Sequence, residues 1–190
     1  DSVKSRGLGD VYKRQLQNRS ELLAHTDLCR SHQWNTTAMP NCFAPDWDVS
    51  LITDLSSLFF NDHLFNQPIG QWKVDQVTNM ENMFLNTWAF NQPIGQWKVD
   101  QVTNMGSMFR EAHAFNQPIG NWNTSAVTYF HFMFTRSKFN QDLSSWDVSS
   151  GIFFDSMFEE ARCFNSDIGS WKLNSADSMD YMFKLSLIHI

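Results

Sequence analysis

Histidine, aspartate and cysteine are the residues of this chain whose types could bind a metal or move a proton, and their spacing speaks against both. His63 and His113 share one position of a 25-residue pattern but stand two repeats apart, with Trp88 at the same position between them. At strand spacing, alternate repeats lie roughly 9–10 Å apart, too far for one ion. No metal site is expected, and exposed loop histidines account for the pair. Asp75 and Asp100 align in adjacent repeats, yet the same position elsewhere holds Ser50, Ser125, Ser149 and Asn174. That mixture fits a solvated corner better than a general acid and base. The chain has no HExxH, GxSxG, CxxC, phosphate-binding loop or complete GxGxxG, so neither catalytic residues nor a cofactor are expected.

The remaining reactive and binding groups point to contact, not to turnover. Cys29 and Cys42 flank a loop that an oxidising compartment would close as a disulfide; the alternative is a pair of buried thiols. Cys163 stands before a repeat Phe, where other repeats have Leu64, Ala89 and Ala114, and reads as a small core residue. Thr53, Thr78, Thr103 and Thr128 fall at one position and offer a hydroxyl row to ice or a crystalline glycan, although Ile152 and Asp177 interrupt it. Aromatic residues offer more. Where earlier repeats carry Asn79, Glu81, Asn82 and Asn104, later ones carry Tyr129, His131, Phe132, Ile152 and Phe153, interleaved with the core residues Phe130, Met133 and Phe154. Side by side, these five make an apolar patch of the kind that meets a partner. The competing expectation is that one or two of them turn inward to fill space left by Gly151. Asn18, Asn35 and Asn123 begin N-x-Ser/Thr sequons, which are compatible with secretion.

A repeat must position all of these residues. FNQPIGQWKVDQVTNM occurs twice without change, at residues 65–80 and 90–105, and degenerate copies extend on both sides. They are marked by Trp47, Trp72, Trp97, Trp122, Trp146 and Trp171, spaced 25, 25, 25, 24 and 25 residues apart. Periods of roughly 20–50 residues belong to stacked arrays. Apolar residues recur at eight positions per unit, as in Phe90, Ile94, Trp97, Val99, Val102, Met105, Met108 and Phe109. Neither alternation by two nor a sustained period of about 3.6 describes them, which predicts a coil with corners. WxVxxVTxM predicts one short strand per unit, paired in parallel with the next, and MxxMF predicts a helical or 3₁₀ turn. Gly70, Gly95, Gly120 and Gly169 mark a corner before Trp, but Ser144 at the same position means that positive φ is not demanded there. Asn66, Asn91, Asn116, Asn140 and Asn165 follow the Phe of each unit and predict a ladder of amides bonded to neighbouring corners and to each other. Ordering one unit costs roughly 1–2 kcal/mol per residue, against roughly 1.5–3 kcal/mol per buried apolar side chain, so stability belongs to the row.

The predicted fold is therefore an α/β solenoid of about five and a half coils with short parallel strands, short helical turns and a helical cap at its amino-terminal end. Residues 1–15 and 185–190 resemble translated adaptor scars, 16–45 form the cap helix and loop, and 46–184 form the array, so the chain reads as a fragment. Leu22, Leu23, His25, Thr26 and Cys29 supply the apolar face of the cap helix. A formal charge of −6 with 18% charged residues leaves no basic surface for a phosphate backbone, which argues against nucleic acid as a partner. No apolar run approaches the roughly 18 residues of a membrane span.

With the motif F-N-x-x-I-x-x-W-x-V-x-x-V-T-x-M-x-x-M-F in view, residues 46–183 resemble the BspA-like leucine-rich-repeat surface proteins, in whose short repeat Trp, Met and Phe stand for much of the Leu. Residues 16–45 are similar to the helical lead-in of such arrays. Departures fall in the later units: Gly151 for the usual Val, Phe153 and Phe154 for Asn and Met, Asp142 and Asp167 for Pro. The resemblance implies a leucine-rich-repeat-like fold and a non-enzymatic surface or secreted module. It further implies an extracellular or cell-surface location and adhesion to an unidentified protein or glycan.

Overall fold

The computed structural model describes residues 14–37 and 39–186; most of the two presumed scars, at 1–13 and 187–190, lies outside the described residues. The chain enters through β1 (Arg14–Gln15), which pairs in parallel with β2 (Trp47–Asp48). Both residues fall in the expected lead at 1–15, and they pair with the edge of the first unit. Leu16 is buried beside them, and its N–H donates to the Asp48 carbonyl at 3.1 Å.

Helix α1 (Arg19–Ser31) follows because its ends and one face suit a helix. Asn18 caps it by accepting the Glu21 N–H at 3.0 Å, Glu21 lies in the first turn and Arg30 in the last. Leu22, His25, Thr26 and Cys29 line the buried face, while Leu23 is half-buried at its margin. Two short 3₁₀ turns, Pro40–Cys42 and Ala44–Asp46, return the chain to β2. Cys29 and Cys42 form a disulfide across that loop, and the His25 Nε2–H donates to the Asn41 carbonyl at 2.9 Å.

Beyond β2 the units pair in register through single parallel bridges that run Asp54, Asn79, Asn104, Tyr129, Phe153 and Ser178. The short strand expected in each unit is thus reduced to one paired residue. The reason lies in how the following residues use their N–H groups. In the second unit Met83, Leu85 and Thr87 donate three residues back, to Met80, Asn82 and Phe84, whereas Asn82, Phe84 and Asn86 donate to Gly106, Met108 and Arg110 of the next unit. The segment expected as a helical turn is instead a run of overlapping β-turns whose spare donors bind the neighbour. Asn82 and Asn86, at φ 58° and 59°, take the left-handed place in those turns.

Inside the row, equivalent side chains stack. The indoles from Trp72 to Trp171 follow one another at 6.3–6.5 Å with planes within 7° of parallel. Each indole N–H also reaches back one unit, as Trp97 does to the Ile69 carbonyl at 3.1 Å and Trp122 to that of Ile94 at 3.2 Å. Phe84, Phe109, Phe134 and Phe158 form a second column at 5.5–5.8 Å. Burial of both faces of each ring, which no isolated unit achieves, is the main cohesive term.

The corners hold two departures from expectation. The Asn residues are exposed, and the Oδ1 of each accepts the backbone N–H of the Asn in the next unit: Asn66 from Asn91 at 3.0 Å, Asn91 from Asn116 at 3.0 Å, Asn116 from Asn140 and Asn140 from Asn165, both at 2.8 Å. The amides bond to the neighbouring backbone and to Gln92, Gln117 and Gln141, and not to each other. Cys163, expected in the core, is exposed with its thiol free. Its position lies on the outside of the corner, as the exposed Leu64 and Ala114 also show. The corner glycines serve a close approach between units: a methyl group on Gly95 would press into the Pro118 carbonyl oxygen, and one on Gly70 into that of Pro93. Because a backbone carbonyl cannot step aside, Gly95→Ala is expected to cost about 1–3 kcal/mol. A urea midpoint equal to that of the parent would contradict this packing.

Candidate functional site

At the bridged position the early units share a local device. The side chain of Asp54 accepts the Ser56 N–H at 2.8 Å, that of Asn79 accepts the Glu81 N–H at 3.0 Å and that of Asn104 accepts the Gly106 N–H at 2.9 Å. Each is an Asx turn, in which a short polar side chain caps a donor two residues on. Tyr129 and Phe153 occupy this position in the next two units and cannot do this. Among the described residues, no acceptor meets the N–H of His131 or of Asp155. Two adjacent units therefore exchange a backbone hydrogen bond, worth about 0.5–1.5 kcal/mol each, for an aromatic side chain at the surface.

The aromatic residues form one contiguous cluster. Tyr129, 40% exposed, stacks on Phe153 with ring centres 5.2 Å apart and planes at 14°. His131 meets Tyr129 edge-on at 6.1 Å and Phe132 edge-on at 5.8 Å. The Arg110 guanidinium lies over the Phe132 ring at 5.1 Å, a cation–π contact. His131, Phe132, Ile152 and Phe153 are half-buried. The space at Gly151 is taken by the Phe154 ring, so the five patch residues do not fill it. His131 instead lies across Gly106, where a Cβ would collide with its ring. Phe132 holds φ at 56°, where earlier units place Asn82 and Ser107. For a bulky residue that backbone costs about 1–2 kcal/mol. Ser156 and Tyr181 hold the same place in the next two units, at φ 52° and 58°, so the left-handed residue belongs to the turn of the repeat.

Charge is unevenly arranged around the cluster. Asp155 accepts the Ser178 hydroxyl and, at 3.3 Å, the Asp180 N–H; Asp177 and Asp180 are exposed on the following unit. Glu81, two units before Tyr129, accepts from the Asn104 amide at 3.2 Å. Farther round the same side, Arg136 bridges Glu111 at 3.5 Å and Glu160 at 3.0 Å. The hydrogen-bonded Glu160 pushes the Arg136 guanidinium above its ordinary value, and the Lys184 ammonium holds the Glu159 carboxyl below its own.

The other residues singled out by type are engaged elsewhere. His63 stacks on Trp88 at 4.1 Å and donates from Nδ1 to the Asn86 carbonyl at 2.9 Å; Trp88 lies 5.8 Å from the His113 ring. These form an exposed column of rings. Asp75 faces Lys98 at 4.0 Å, and Asp100 accepts the Asn123 amide at 2.8 Å. The hydroxyls of Thr78, Thr103 and Thr128 each donate to the carbonyl of the Thr one unit back, at 3.1–3.2 Å, so these three turn oxygen lone pairs outward. Among the described residues no three His, Cys, Asp or Glu side chains gather in a way that could hold a metal ion.

One cluster escaped the reading of the sequence. Asp62, only 4% exposed, accepts the Trp34 indole N–H at 2.8 Å and Arg30 Nε at 3.2 Å, and Arg30 also donates to the Leu58 carbonyl at 3.0 Å. This clamp seats α1 on the first unit. The signal was present, because the same position in later units holds only Thr87, Ala112, Ser137, Ala161 and Ser186. An acid at a position of small residues marks a unit whose neighbour is not another unit.

Units that bind each other through the same positions define a tandem-repeat protein. The chain belongs to the family described as Mycoplasma protein of unknown function, DUF285, which matches residues 27–137 and again 94–187. No curated protein and no solved structure matches it. No helix of the described residues is long and apolar enough to cross a membrane.

Proposed function

We propose that this chain is a leucine-rich-repeat-like solenoid of the BspA-like kind, and that it acts as a non-enzymatic recognition or adhesion module at or outside the cell surface. Its binding face is the cluster of Tyr129, His131, Phe132, Ile152 and Phe153. The observation that carries this reading is the loss of the Asx cap in two neighbouring units in favour of stacked aromatic rings, Tyr129 exposed and Phe153 half-buried. A row that merely needed to stand would keep Asn there. The Cys29–Cys42 disulfide supports an oxidising, extracellular setting.

The test is capture of cell-surface proteins on immobilised parent chain and on the Tyr129→Asn/Phe153→Asn double variant, which restores the side chain found in earlier units. At least one partner is expected to be held about tenfold more strongly by the parent. Identical capture profiles would remove the face from consideration.

A further inference from the structure

We infer that the Tyr129–Phe153 face takes an extended, basic peptide segment in which lysine or arginine alternates with aliphatic residues, an inference that rests on the recognition reading above. Three features of the face ask for three features of one ligand. The stacked rings of Tyr129 and Phe153, with Ile152 beside them, offer apolar contact. The N–H groups of His131 and Asp155, uncapped one unit apart, call for acceptors, which a peptide backbone supplies as carbonyl oxygens.

Charge decides the rest. Asp155 stands two residues after Phe153, Asp177 and Asp180 take the places of Ile152 and Asp155 in the following unit, and Glu81 takes that of His131 two units earlier, within a chain whose formal charge is −6. The nearest cation, Arg110, is already placed over Phe132 and lies 3.9 Å from Glu111. Lysine or arginine on the ligand completes these carboxylates, whereas an acidic segment or an acidic glycan meets like charge. A neutral glycan would satisfy rings and donors, and its binding would not respond to salt.

The experiment uses the full chain and synthetic probes: a short peptide of alternating lysine and leucine, its glutamate–leucine counterpart, its lysine–serine counterpart and a neutral oligosaccharide. Binding is measured by calorimetry on the parent, on Tyr129→Asn/Phe153→Asn and on Asp177→Asn/Asp180→Asn, at about 0.05 and 0.5 M salt. The lysine–leucine peptide is expected to bind the parent at least about tenfold more tightly than either counterpart peptide, and more weakly at high salt. Both double variants are expected to lose about tenfold while melting as the parent does. The first regains Asx caps, and the second changes only exposed carboxylates. Glutamate–leucine or oligosaccharide binding that requires Tyr129 and Phe153 would overturn the basic partner and leave the recognition face standing. Lysine–leucine binding indifferent to both double variants, or no binding by any probe, would overturn the inference; the recognition reading then stands or falls by the capture experiment alone.

Discussion

Trp97→Ala is expected to lower the unfolding free energy by about 3–5 kcal/mol, the range for removing a large aromatic side chain from a packed interior. The indole is 3% exposed and lies between Trp72 at 6.4 Å and Trp122 at 6.5 Å, both within 3° of parallel. Removing it opens a slot whose two walls are rings fixed by their own units, so collapse into the space is restricted. The Ile69 carbonyl also loses one of its two donors, keeping the Trp72 backbone N–H at 3.1 Å. Trp171, 9% exposed with Trp146 on its described side, should cost less when replaced by alanine. Urea unfolding of the two variants measures the contrast. Equal losses would mean that stacking from both sides contributes nothing beyond burial, and an unchanged Trp97→Ala midpoint would place the indole outside the core.

Asp62→Ala is expected to cost about 2–4 kcal/mol, because it leaves the Trp34 indole N–H and the Arg30 guanidinium without their shared acceptor at a buried site. Arg30 is partly solvated and keeps Asp27 at 2.8 Å, which holds the loss below that of a fully buried pair. The damage should be local. Amide exchange across Arg19–Ser31 is expected to accelerate, while the turns around Phe109, two units beyond the one that α1 covers, stay protected. Uniform acceleration along the chain would show that cap and row unfold as one unit, and unchanged exchange in α1 would dismiss the clamp.

The candidate site is partly legible in the sequence. Tyr129, His131, Phe132, Ile152 and Phe153 stand out because a repeat makes departures visible: each replaces a polar residue that earlier units hold at the same position. What stayed hidden was why the departure matters. That Asn79 and Asn104 cap a backbone donor depends on the turn that follows them, and the turn was read as helical. Cys163 was misplaced for a related reason, since a small residue next to a core Phe reads as core unless the corner's outer side is known.

By itself the sequence determined the register of this protein: a period of 25 residues with one omission brings like residues over like, and rings as large as indole then stack or leave voids. Only the tertiary structure decided which donors turn inward to their own unit and which reach the next. That choice reduces each strand to one bridged residue, puts the Asn ladder at the surface and leaves His131 and Asp155 uncapped. The physical reason is that side-chain periodicity is written in residue types, whereas the pairing of backbone N–H and carbonyl groups, alike in nearly every residue, is settled by the unit that lies alongside.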